Sequence, residues 1–215
     1  MLISHLKRFI YTKTVKTAST SVESYFEKFC MPVDEWVFQR SREEYVSKTG
    51  VIGYRGTNSA GKLWFNHMSA AKIKKQMDET TWNEYFKFTV IRNPYDKLVS
   101  KFFFSERPSG TEEQLIANFR DWLQNGGMFV DRQIYTIDGS ICLDYFIRYE
   151  YLENGIGQVC KHLNIPFEPE KLPQLKANIR DNNISLRAFY DDELKKVVRE
   201  EYAFELAYFK YTFPK

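Results

Sequence analysis

The apolar run Phe9-Ile10-Tyr11 soon breaks into Lys16-Thr17-Ala18-Ser19-Thr20-Ser21, and a helical pattern with Val22, Tyr25, Phe26 and Phe29 follows at once. A strand that turns directly into a helix is the repeating unit of α/β folds, so this junction constrains the chain more than any other feature. It also has the geometry of a phosphate cradle. The N–H groups of a helix's first turn point at an anion, and the helix dipole favours negative charge there. Thr and Ser hydroxyls add donors, and Lys16 adds a full charge. The same residues also suit an ordinary helix cap beside a surface lysine. The loop is not a Walker A motif, because no glycine precedes Gly50 and no Gly-Lys-Ser/Thr ending is present. Chemistry on ATP or GTP with a loop-held Mg²⁺ is therefore disfavoured.

A second junction has the same form. Phe86-Lys87-Phe88-Thr89-Val90-Ile91 reads as a buried strand, and Arg92-Asn93-Pro94-Tyr95-Asp96-Lys97-Leu98-Val99-Ser100 follows. Asn93 is a good N-cap, and Pro94 suits the first helical position. Arg92 then stands at the C-terminal end of a strand, where α/β sheets bind ligands. Asp96 and Ser100 share one helix face, while Leu98, Val99, Phe102 and Phe103 supply packing. The Arg92 guanidinium fits a phosphate, with Ser100 as a further donor. Pairing of Arg92 with a nearby carboxylate is the competing reading.

Together these stretches resemble the sulfotransferases that use 3′-phosphoadenosine 5′-phosphosulfate (PAPS). Residues 16–21 look like their 5′-phosphosulfate loop, and residues 90–100 look like their 3′-phosphate motif. Both are similar to the carbohydrate branch that includes heparan sulfate 2-O-sulfotransferase and bacterial relatives. Leu143-Asp144-Tyr145-Phe146-Ile147-Arg148-Tyr149-Glu150-Tyr151-Leu152 resembles that branch's Arg-Tyr/Phe-Glu-x-Leu strand, and residues 188–194 and 208–213 match its ending. Val15 departs from the pattern, since relatives usually carry proline before the lysine.

The resemblance implies roles. Lys16 contacts the bridging oxygen and stabilises the leaving phosphate. Thr17, Ala18, Ser19, Thr20 and Ser21 hold the 5′-phosphate, while Arg92 and Ser100 hold the 3′-phosphate. Arg180 adds to the nucleotide site if residues 176–185 are the family's late nucleotide loop, and is otherwise a solvated arginine. His67 follows the apolar stretch 63–66 and precedes a helix cap at Ser69, so it sits at an element boundary. A neutral imidazole there suits a general base. In the resemblance, His67-Met68-Ser69 falls where the branch carries its catalytic histidine. A structural cap at His67 and a carboxylate base at Glu23 are the rivals.

The implied activity is sulfuryl transfer from PAPS to an acceptor hydroxyl, expected to be on a carbohydrate, leaving 3′-phosphoadenosine 5′-phosphate. No metal is expected, since the donor is already activated. Two alternatives belong to other classes: a nucleotide-binding module of the same fold without catalysis, and a P-loop-like kinase.

A chain of 215 residues with 43% hydrophobic and 17% aromatic content suits one sulfotransferase domain over 1–215. A net charge of +3 is too mild to indicate a nucleic-acid partner. Cys30, Cys142 and Cys160 form no metal or disulfide spacing, and buried free thiols suit a reducing cytoplasm. No signal peptide and no membrane span is expected, and the expected location is cytoplasmic.

The expected elements are strand 7–13, helix 19–29, short strands near 51–54 and 63–66, helix 70–77, strand 86–91 and helix 94–104. Helix 112–123 follows, then a hairpin of 133–137 with 141–149 closed by Asp138-Gly139, helix 152–163 and helix 191–202. Alternating strands and helices give a three-layer α/β/α fold with a mostly parallel sheet and a P-loop-like strand–loop–helix phosphate site.

Overall fold

The computed structural model describes residues 1–173 and 184–214. In chain order, the strands are β1 (Leu2–Ser4), β2 (Phe9–Tyr11), β3 (Tyr45–Ser47), β4 (Gly50–Ile52), β5 (Phe86–Ile91), β6 (Thr136–Ile137), β7 (Ser140–Ile141) and β8 (Tyr145–Arg148). The helices are α1 (Ser19–Glu27), α2 (Ala70–Lys75), α3 (Glu79–Glu84), α4 (Pro94–Glu106), α5 (Glu112–Trp122), α6 (Leu152–His162), α7 (Asp192–Glu201) and α8 (Ala203–Tyr208). Two compact units form: Met1–Ile91 with Asp131–Leu175, and Arg92–Val130 with Lys176–Lys215.

The first unit holds a six-stranded sheet in the order β3-β4-β1-β2-β5-β8. Its pairing is parallel from β2 through β5 to β8, with Phe9 opposite Phe86 and Ile91 opposite Arg148. The pairs β1–β2, β1–β4 and β3–β4 are antiparallel. Alternation along each strand sends side chains to opposite faces. Leu2, Phe9, Tyr11, Phe88, Val90 and Ile147 pack with Val22, Tyr25 and Phe26 of α1 and with Ile156 and Val159 of α6. Ile3, Ile10 and Val51 pack on the other face with Ala70 and Ile73 of α2 and Trp82 of α3. Helices cover both faces, so the α/β/α layering is present. Each such side chain contributes about 1.5–3 kcal/mol when fully buried. Gly155 lets α6 close on β8, since a Cβ there would lie 2.6 Å from Ile147 Cγ2.

In the second unit, Tyr95, Leu98, Val99 and Phe102 of α4 pack with Leu115 and Phe119 of α5, Phe189, and Leu194 and Val198 of α7. Asn93 caps α4 by accepting the Tyr95 N–H, with Pro94 at the helix start. A capping box of Thr111 and Gln114 starts α5.

Several elements differ from expectation. β1 and β3 were not anticipated, and the strand expected near 51–54 is Gly50–Ile52. Residues 63–66 form no strand; Phe65 makes an isolated bridge to Tyr54. The hairpin is shorter than expected. Asp138 and Gly139 turn with positive φ and close only β6 on β7. The chain then leaves that pair so that β8 can add in parallel to β5. No helix of the described residues is long and apolar enough to cross a membrane. Cys30 and Cys160 are buried free thiols, and Cys142 is partly buried.

Candidate active site

The loop between β2 and α1 is held from several directions. The Thr12 N–H donates to the Phe88 carbonyl at 3.1 Å, so the chain still follows β5 after β2 ends. The Thr14 hydroxyl donates to the Val90 carbonyl. With that proton committed, Thr17 Oγ1 donates to Thr14 Oγ1 at 2.8 Å. The Val15 N–H donates to Asp131 Oδ2 at 2.8 Å, and Tyr11 Oη donates to the Ser19 carbonyl at 3.2 Å. Lys16 and Ala18 both adopt the left-handed conformation, with φ of 59° and 53°. For residues with a Cβ this costs roughly 1–2 kcal/mol each, and the surrounding hydrogen bonds must hold it.

Ala18 occupies the N-cap of α1 and provides no side-chain cap. The Ser21 N–H closes the turn on the Ala18 carbonyl at 2.9 Å. Lys16, Ala18 and Thr20 are half-buried, while Thr17, Ser19 and Ser21 are buried. Thr17's hydroxyl proton is thus used within the loop, and its main-chain N–H is what remains to offer an anion. An uncapped first turn beside a partly exposed lysine suits a phosphate group.

His67 stands beside the start of this loop. Its Nδ1 lies 2.9 Å from the Lys13 carbonyl oxygen. A carbonyl oxygen only accepts, so Nδ1 carries the proton and Nε2 keeps its lone pair. His67 is itself left-handed, with φ of 57°. Its pKa is lowered from 6.5 to about 4, chiefly by desolvation and next by the Lys13 charge. The residue remains solvent-accessible. The imidazole is therefore neutral at pH 7.

Glu23 does not have the properties of a base. It is wholly buried on α1, where Oε1 meets the Met1 amino group at 2.7 Å and Oε2 meets Lys13 Nζ at 2.6 Å and Arg55 NH1 at 2.8 Å. Burial alone would raise its pKa, but Lys13, the Met1 amino group and Arg55 outweigh burial and hold it well below the usual carboxylate range. Glu27, one turn on, takes Arg55 NH2 at 3.2 Å and Arg42. Here burial prevails over both arginines, and its pKa is raised.

In the second unit, Arg92 Nε donates to Asp96 Oδ2 at 2.7 Å, one turn apart. The carboxylate pairing weighed from the sequence is therefore present, and it orients the guanidinium. Asn93 Nδ2 donates to the Thr212 carbonyl at 2.8 Å. Ser100 is half-buried on α4, on the face that carries Asp96. Arg180 lies outside the described residues.

Sequence reasoning did not single out Lys13, Asp131 or Arg55. Lys13 ends an apolar run and resembles a strand-end surface lysine, yet it is 2% exposed. Asp131 is distant in sequence from the loop that it holds, and no local pattern marks it.

The model of the sulfotransferase family matches residues 1–212. No curated protein and no solved structure matches the chain.

Proposed function

The chain belongs to the sulfotransferase family, and from that premise we propose that it transfers a sulfuryl group from PAPS to a hydroxyl of a carbohydrate. One observation carries this reading. His67 is hydrogen-bonded to Lys13, and Lys16 follows three residues later on the same loop. A neutral imidazole with its lone pair on Nε2 is therefore anchored three residues before a cation for the leaving group.

The reaction is an in-line displacement. The acceptor oxygen attacks sulfur, and its proton passes to His67 Nε2. The bond from sulfur to the bridging oxygen breaks, and its electron pair stays on the departing phosphate. Lys16 stabilises that charge. A donor of this kind in a water-excluded site is worth about 3–4 kcal/mol, by comparison with a lost oxyanion donor. Residues 17–21 are assigned to the 5′-phosphate, Thr17 through its main-chain N–H and Ser19, Thr20 and Ser21 through their hydroxyls. Arg92, oriented by Asp96, and Ser100 are assigned to the 3′-phosphate. A site built around such an arginine discriminates against ligands that leave it unpartnered.

Thermal unfolding with 3′-phosphoadenosine 5′-phosphate, with ADP, and with ATP plus Mg²⁺ tests this. At a ligand concentration near 100 times Kd, linkage gives about 2.7 kcal/mol, or roughly 5–10 °C for a chain of this size. The expected shift occurs with the 3′-phosphorylated nucleotide and is lost in Arg92→Ala. A larger shift with ATP and Mg²⁺ would overturn the reading in favour of kinase-like chemistry. A selective shift without any sulfated product from a panel of sugar acceptors would favour a non-catalytic nucleotide-binding module.

A further inference from the structure

We propose that Lys13 is a positioning residue for His67: its carbonyl holds the imidazole in one tautomer, and its ammonium, locked on Glu23, grips the preceding residue and sets a buried positive charge beside the ring. This rests on the proposed role of His67 as base, and extends it to a residue that touches neither substrate.

The geometry is two-sided. Lys13 O accepts from His67 Nδ1 at 2.9 Å, while Lys13 Nζ donates to Asn66 Oδ1 at 3.4 Å. One residue thus reaches both the ring of His67 and the side chain immediately before it. His67 is left-handed, a conformation that persists only where neighbours over-determine it. A ring pinned at Nδ1 has its Nε2 direction fixed, as second-shell carbonyls do for metal-bound imidazoles.

The ammonium cannot easily move away. Lys13 is buried, and Glu23 Oε2 holds Nζ at 2.6 Å. Glu23 also meets the Met1 amino group and Arg55. Glu23 is thus shared between Lys13, the Met1 amino group and Arg55, the last of which also meets Glu27, so it is not devoted to Lys13 alone. The charged groups acting on the ring are Lys13 and the Met1 amino group, which disfavour its protonation, and Glu23, which favours it. Lys13 also sits three residues before Lys16, so a loop ordered around a phosphate brings the histidine's anchor with it.

The test is nitrogen NMR of the imidazoles across pH, in the whole protein and in Lys13→Met. Only His5, His67 and His162 contribute, and His67→Ala identifies the signal. Wild-type His67 is expected as the Nδ1–H tautomer, neutral well below pH 6.5. In Lys13→Met its titration should move up by about one pH unit or more. kcat should fall about tenfold or more, with the Kd for 3′-phosphoadenosine 5′-phosphate nearly unchanged. A wild-type Nε2–H tautomer would overturn the proposal, and that spectrum decides even if Lys13→Met does not fold. An unchanged titration in a folded Lys13→Met would overturn it too. If tautomer and titration behave as expected while His67→Ala keeps its turnover, the base assignment fails and the hold of Lys13 on the ring stands.

Discussion

At the scale of single residues, His67 shows how much chemistry a main-chain contact can set. Its ring donates to a carbonyl, and desolvation together with a nearby ammonium keeps it neutral. The acid limb of kcat/KM is therefore expected well below the ordinary imidazole value of 6.5, towards pH 4. An inflection at or above 6.5 would show that another group governs that limb. His67→Ala should lower turnover by about 10²–10⁴-fold while 3′-phosphoadenosine 5′-phosphate still binds within a few-fold; titration calorimetry beside a turnover assay separates the two. The strand–loop–helix junction that carries Lys16 was legible in the sequence because an apolar run meets a helical pattern there. Lys13 was not legible, since a lysine at a strand end is ordinarily solvated and only the fold places it against Glu23.

At the scale of elements, the β2–loop–α1 unit stands without the glycines that phosphate loops usually use. Its two left-handed residues are held by Thr14 on Val90 and by the Val15 N–H on Asp131. A bond from an amide to a buried carboxylate is worth about 1.5–3 kcal/mol. Asp131→Ala should therefore weaken binding of 3′-phosphoadenosine 5′-phosphate by about tenfold or more. Asp131→Asn retains an acceptor oxygen and should recover much of that loss. Equal Kd values for wild type and Asp131→Ala in a titration would show that the loop is ordered without this contact. Long elements were readable: strand β5 lies where its apolar run predicts, and α4 starts at the expected Pro94. The three-residue strands β1 and β3 were not, because so few residues carry no period and their identity comes from pairing, and β4 was placed only approximately. The helix α3, six residues capped by Asp78, is too short and polar to announce itself.

At the scale of the whole molecule, the α/β class was legible from the alternation of strands and helices, while the division into two units was not. The first of its crossings falls between Ile91 and Arg92, inside a strand-to-helix turn with no Gly-, Ser- or Pro-rich linker to mark it. Also invisible was the burial of two carboxylates on α1, because no local pattern marks Glu23 and Glu27 as partners of Arg55 and Arg42. That burial makes stability depend on pH in a direction that can be worked out. His67 has a folded pKa below its unfolded 6.5, so the unfolded chain binds more protons between 6.5 and about 4. Its contribution is present above 6.5 and fades as pH falls through that window. Glu23 is lowered from 4.5, so its contribution is present above 4.5 and fades at lower pH still. Glu27 is raised and acts in the opposite sense, its contribution fading as pH rises through its folded pKa. Between pH 6.5 and about 4 His67 and Glu27 pull in opposite directions, so His67→Ala isolates the histidine: the wild-type urea midpoint should fall relative to that of His67→Ala as pH drops through this window, while both share the Glu23 loss below 4.5. A wild-type midpoint that instead rises relative to His67→Ala over that window would mean that His67 gains a proton on folding, and would remove the physical basis for a neutral base beside this loop.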